Sequence, residues 1–309
     1  MSAPAKAGFW WYFTLLALAA LMWSAQGTAV KFLEPHMGPI AITFVPFYIT
    51  TLLFVPLLVH KRRQNKSAER PTLHDWGKFV LAGIGGQVLA QLGMTWGILK
   101  SLASNGAILN LFIPILSAVL ASIMLKEKLT ALRILCFVIG LAGVALLSIQ
   151  DFRQSAFGEM KYLSGNALIL GGCLGSSFYN VYCKGLMKRF QEIEILIFSY
   201  ITASAATLPL LVWVEPFHLS AFAHFDWRAW LAFAFLVICM YGASMLLFFH
   251  ALEHLDVTIA SMALYMVPVF GVILAAVMVG ERLSAAALVG AGIVLVSTVL
   301  IMKYDSSAS

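Results

Sequence analysis

AILNLFIPILSAVLASIMLKEKLT, residues Ala107–Thr130, recurs further along this chain as SMALYMVPVFGVILAAVMVGERLS, residues Ser261–Ser284. One offset of 154 residues sets Pro114 on Pro268, Ala121 on Ala275, Met124 on Met278 and Glu127 on Glu281. It also sets Lys128 on Arg282 and Thr130 on Ser284. In each copy an apolar run ends in an acidic–basic pair and a capping hydroxyl, and a new apolar run follows. That pattern is a helix, a tight turn and the next helix. Because the offset is about half of the 309 residues, the chain reads as a duplicated unit.

Composition supplies the solvent for those helices. The chain is 61% hydrophobic and 11% charged, with mean hydropathy +0.91. Soluble domains carry about 25% charged residues, so this is an integral membrane protein. Stretches free of Asp, Glu, Lys and Arg fall near 7–30, 40–59, 79–99, 103–125 and 134–149 in the first half. In the second half they fall near 162–183, 195–214, 229–252, 257–280 and 283–302. Each approaches the ~20 residues that span a bilayer as a helix. The expected fold is all-α, with ten transmembrane helices in two five-helix repeats, 7–150 and 161–303. The run after Lys6 reads as a retained first helix rather than a cleaved signal, since nine more spans follow it.

Basic residues orient the bundle. With the N-terminus inside, 14 of the 20 Lys and Arg fall in inner segments and 6 in outer ones, so both termini are expected in the cytoplasm. An odd number of helices per repeat makes the second copy enter from the opposite side, and the repeats are therefore inverted.

Each half resembles the EamA-type repeat of the drug/metabolite transporter superfamily. The resemblance rests on Trp23–Lys31 (WSAQGTAVK) at the end of the first helix, on the proline-centred fourth helix, and on the E-K/R-L that opens the fifth. Ser176–Lys184 (SSFYNVYCK) and Pro268–Leu283 repeat these features. The chain departs from many members in having no basic residue between Thr43 and Tyr48. The resemblance implies export or exchange of a small metabolite such as an amino acid, or of a drug, across the inner (plasma) membrane.

Polar side chains inside the spans are the candidates for a substrate site, because an amide in lipid must find a partner. Gln87 and Gln91 share one face of the third helix. Gln26, Asn110 and Asn180 lie on the first, fourth and sixth helices, and Trp23, Tyr179, Tyr241 and Tyr265 offer aromatic walls. Interhelical hydrogen bonding and a shared central cleft both fit these residues. Pro114 and Pro268 each remove a mid-helix donor and should kink their spans. Ser117 and Gly271 lie on the same small-residue stripes, which suit either close helix packing or a cavity wall and hinge. Glu127 and Glu281 sit at turns ahead of Thr130 and Ser284, and read as structural acids at helix N-termini.

Other chemistries find no support. Cys136, Cys173, Cys183 and Cys239 lie in apolar runs without metal-type spacing. The sequence offers no nucleophile–base pair, no phosphate loop and no basic nucleic-acid patch, so an enzyme, a resident cofactor, ATP and nucleic acid are not expected. The expected partners are a small-molecule substrate and the bilayer, with the chain acting as a monomer or weak homodimer. No acid lies within the windows, so transport without obligatory proton coupling is expected. A passive channel of the same fold is the alternative.

Overall fold

The computed structural model describes residues 6–64, 70–148, 159–279 and 285–305, and every regular element among them is helical. Lys6–Ser24 (α1) and Gln26–Leu33 (α2) form one column interrupted at Ala25, followed by Pro39–Gln64 (α3) and Leu73–Leu99 (α4). Ala103–Leu109 (α5) and Phe112–Met124 (α6) form a second interrupted column, and Ala131–Leu147 (α7) ends the first half. The second half runs Met160–Leu186 (α8), Glu192–Val214 (α9), Trp227–His254 (α10), Val257–Met262 (α11), Met266–Val279 (α12) and Ala285–Tyr304 (α13).

Eight of the described columns are long and apolar enough to cross a membrane. The exceptions are α7, apolar but 17 residues long, and α8, long at 27 residues but rich in Gly, Ser and Asn. Packing explains the composition of α8. A Cβ added at Gly93 of α4 would lie 2.6 Å from the Gly172 backbone nitrogen, and one at Gly165 would lie 2.5 Å from the Lys100 carbonyl oxygen. The two backbones touch, so α8 presents glycine to protein where a lipid-facing helix would present leucine. A similar seam joins α7 to α13, where a Cβ at Gly290 would meet the Gly143 carbonyl oxygen at 2.6 Å.

Helix ends sort into two layers. At one end Tyr12 stacks on His254 at 5.0 Å, Lys61 meets Glu192 at 3.3 Å, and Arg189 meets Asp75 at 2.8 Å. Arg133 reaches Asp305, just past α13, in the same layer. At the other end Glu215 accepts the backbone N–H of Ala41 at 2.9 Å and His36 packs on Phe225. The start of α1 and the end of α13 thus share one end of the bundle, together with Lys61, Arg62, Lys78, Arg133, Lys184 and Arg189. We call it the basic end.

Irregularities recur in register. α4 contains a π turn at Leu81–Val88 and α10 contains one at Leu236–Ala243, 155 residues on. The α5–α6 column breaks at Asn110, and the α11–α12 column tightens to a 3₁₀ turn at Ala263–Tyr265, around Leu264, the residue 154 positions on. Asn110 and Leu264 each lie four residues before a proline. A proline ring collides with the carbonyl of residue i−4 and offers it no N–H, so each column yields at that peptide.

Candidate functional site

The π turns are held from outside their own helices. Thr202 on α9 donates its hydroxyl to the Phe79 carbonyl at 2.8 Å, beside the turn in α4. Thr50 on α3 donates to the Val237 carbonyl at 2.7 Å, within the turn in α10. A second carbonyl of that turn, Tyr241 O, accepts the Tyr200 hydroxyl at 3.0 Å. In an apolar medium a carbonyl released from the regular ladder must be met by a side chain. Each turn draws on the opposite half, α9 serving α4 and α3 serving α10, and the α10 turn draws also on Tyr200 of its own half.

Several candidates gather around these turns. Gln87 is buried in the α4 turn, whose Gly86 lies against Tyr179, and the Tyr179 hydroxyl bonds the Ser199 hydroxyl at 2.9 Å. Tyr179 stacks on Phe249 at 5.6 Å, and Phe249 adjoins Phe248, against which the Trp23 ring sits edge-on at 5.3 Å. Tyr241 lies edge-on to Phe47 at 5.5 Å, and Phe47 packs on Tyr200 at 3.9 Å. Asn180 is buried beside Tyr179 in the chain. Gln26, at the start of α2, and Gln91, one turn beyond Gln87, are half-buried.

Two candidates lie apart from this group. Asn110, at the break, accepts a weak bond from the Cys173 thiol at 3.6 Å. Tyr265 packs edge-on to Phe137 of α7, with centroids 6.5 Å apart, and its ring lies against Gly140. Among the described residues the buried hydroxyls of Tyr265, Ser297 and Ser117 have no hydrogen-bond partner, and Ser297 also lies against Gly140. Pro114 is buried and Pro268 half-buried. At Gly271 an added Cβ meets nothing within 4 Å, so close packing does not demand glycine there.

Glu127 is a helix-terminus acid, but not for the helix that follows it in the chain. Its carboxylate accepts the backbone N–H groups of Val257 and Thr258 at 2.8 and 3.0 Å, and the Thr258 hydroxyl at 2.6 Å. It thereby caps α11, while Thr130 caps α7 through the Arg133 N–H. Glu281 lies outside the described residues. Sequence reasoning missed Ser199, Tyr200, Thr50 and Thr202. Their signal was present as hydroxyls in otherwise apolar runs, but nothing in the sequence marked which backbone they would meet. It also counted Arg133 only as an orienting charge. In the structure Arg133 is 5% exposed and bonds Asp305 and Asp256, both at 2.5 Å. His250, near the basic end of α10, meets Glu192 at 3.2 Å.

Interrupted apolar helices braced by hydroxyls from neighbouring helices, two of them across the halves, define a multi-pass membrane protein of transporter type. The chain belongs to the EamA-like transporter family, whose profile matches residues 10–149 and 163–303. Among its relatives is a probable terminal-alkyne amino-acid exporter of Streptantibioticus cattleyicolor, 24% identical over 76% of this chain and 75% of that one. The S-adenosylmethionine uptake transporter of Rickettsia conorii is 22% identical over 97% of this chain and 94% of its own. The riboflavin transporter of Fusobacterium nucleatum is 21% identical over 94% and 97%. A solved crystal structure shares the fold with TM-score 0.78 over 94% of this chain and 95% of that chain, at 16% identity.

Proposed function

We propose that this chain is a ten-span secondary transporter of a small uncharged or zwitterionic metabolite. In this reading it works by alternating access between inverted repeats 7–150 and 161–303. It resides in the inner (plasma) membrane with both termini cytoplasmic, as a monomer or weak homodimer. The observation that carries the reading is the pairing of interruptions: π turns 155 residues apart, and proline-linked breaks 154 apart. Interrupted helices at corresponding positions of two halves are where transporters of this kind place substrate. The two additional spans are α7 and α8, each sealed to a neighbour by glycine. A relative named as a probable terminal-alkyne amino-acid exporter and another named as an S-adenosylmethionine uptake transporter favour an amino-acid-like substrate.

The test is counterflow into proteoliposomes across a panel of amino acids and related metabolites. Saturable counterflow is expected, whereas a passive channel would give flux without it. A pH gradient alone, with voltage clamped, is expected to drive no uphill accumulation. Uphill accumulation would refute uncoupled transport without touching the assignment as a carrier.

The reading places Gln87, Tyr179 and Tyr241 on the substrate path. Gln87→Leu removes the one side-chain amide of the α4 turn from a buried site, where a hydrogen bond lost to the substrate costs about 1–3 kcal/mol. The half-saturation concentration for the transported substrate should rise about tenfold or more, with expression unchanged. Unaltered kinetics would mean that this cluster only joins helices.

A further inference from the structure

A groove of about 350 Å³ opens at the basic end between α4, α6 and α8. Its mouth carries Lys78 and Arg189, its lining includes Leu125, Tyr182, Gly185 and Phe190, and no acid lines it among the described residues. Both cations are fixed from behind. Asp75 is fully buried and accepts from Arg189 at 2.8 Å and from Lys78 at 3.2 Å. Thr72 closes the remaining valences of that carboxylate through its N–H and hydroxyl, in a capping box at the start of α4. The groove therefore meets two held cations and not the carboxylate between them.

The surface leading to the groove is apolar. Leu163, Leu170 and Leu174 of α8 are 55%, 42% and 45% exposed. Steps of three and four residues carry that face through Phe178, Tyr182 and Gly185 to Arg189. In a bilayer such a face lies against acyl chains, and it ends at the cations. Two fixed cations at the head of a lipid-facing apolar track match an anionic phospholipid, phosphate above and chain below. We propose that this groove binds the headgroup phosphate of an anionic phospholipid from the leaflet at the basic end, with an acyl chain along the Leu174–Tyr182 face.

Full-length protein in mild detergent, mixed with phosphatidylglycerol and phosphatidylethanolamine, tests this by native mass spectrometry. Wild type should retain the anionic lipid in preference to the zwitterionic one. Arg189→Gln and Lys78→Gln should each lower that retention about fivefold, and Arg189→Lys should keep most of it. Gly185→Leu should displace the lipid by filling the groove, since an added Cβ there meets only the tip of Leu125, at 3.7 Å. Arg189→Lys and Gly185→Leu leave a cation on Asp75, so they remain informative where the Gln variants fail to fold. Equal retention of the two lipids by wild type would overturn the proposal, as would full retention by Gly185→Leu. Displacement of the lipid by inorganic phosphate at equal concentration would mark a soluble-anion site and overturn it equally.

Discussion

Gly93→Val should leave no folded, monodisperse protein. A Cβ at this position would lie 2.6 Å from the Gly172 nitrogen, 2.7 Å from the Gly172 Cα and 2.7 Å from the Leu168 carbonyl oxygen. All three are backbone atoms, so no side chain can swing away, and the α4 and α8 backbones would have to part along the whole seam. Separation forfeits the contacts at Gly97, Gly165 and Gly175, each of which faces backbone within 3.0 Å of its own missing Cβ. In lipid no hydrophobic force restores the pair, because helix association there rests on close packing. Overpacking in a close-packed interior costs ~1–3 kcal/mol and sometimes more; a clash against three backbone atoms of α8 belongs at the upper end. The internal control is Gly171, one residue from Gly172, where an added Cβ meets nothing within 4 Å. Gly171→Val should express and melt like wild type. Size-exclusion profiles and thermal unfolding in detergent decide the matter, and a wild-type melting temperature for Gly93→Val would show that the seam is not closed.

The same seam marks where sequence reading reached its limit. The duplicated Ala107–Thr130 passage and the hydropathy windows made the helical columns and their pairing legible, because lipid imposes one simple rule along every span. The proline-linked breaks were legible too, since the collision at residue i−4 is local. The π turns were not. LAGIGGQV and LVICMYGA share no breaker and little similarity; the turns are sustained by Thr202 and Thr50, more than a hundred residues away in the chain. Small residues were sought on the Pro114 and Pro268 helices, yet close backbone approaches lie between α4 and α8, between α4 and α9 at Gly83, and between α7 and α13. Gly271 shows why. A small residue records what is absent at a position, and only the neighbour shows whether something fills the space. Of the candidate site, Tyr179 and Trp23 meet through Phe249 and Phe248, whereas Asn110 meets Cys173 further along α8 and Tyr265 faces α7. Periodicity assigns a residue to a face of its own helix but not to a partner.

Arg133→Leu should be the second most damaging single change, and unlike the glycine variant it should be repairable. The guanidinium donates to Asp305 and Asp256 and lies 3.9 Å from Glu127. Asp305 is 4% exposed and the Glu127 side chain 8%, so removing Arg133 leaves two carboxylates near one another with little water. Breaking a buried ion pair from one side costs ~3–5 kcal/mol, whereas replacing both partners by apolar groups is often close to neutral. The single variant should therefore melt well below wild type, and Arg133→Leu combined with Asp305→Leu should recover much of the loss. Asp256, 42% exposed at its side chain, can turn to water and needs no compensation. A double variant no more stable than the single one would mean that the arginine acts through packing alone. The network also joins the halves at the basic end, tying the start of α7 to the α10–α11 connection and to the end of α13. Under the repeat offset, Ala287 and Leu102 stand where Arg133 and Asp256 stand, so the opposite end cannot build the same pairs. If the protein alternates, this tie holds the basic end shut and must part when that end opens. Cys136, one turn beyond Arg133 and 1% exposed, reports on that step. In Arg133→Leu, at a temperature where the fold is intact, a small membrane-impermeant thiol reagent should modify Cys136 faster than in wild type. An unchanged rate would leave the network its structural role and remove it from the gate.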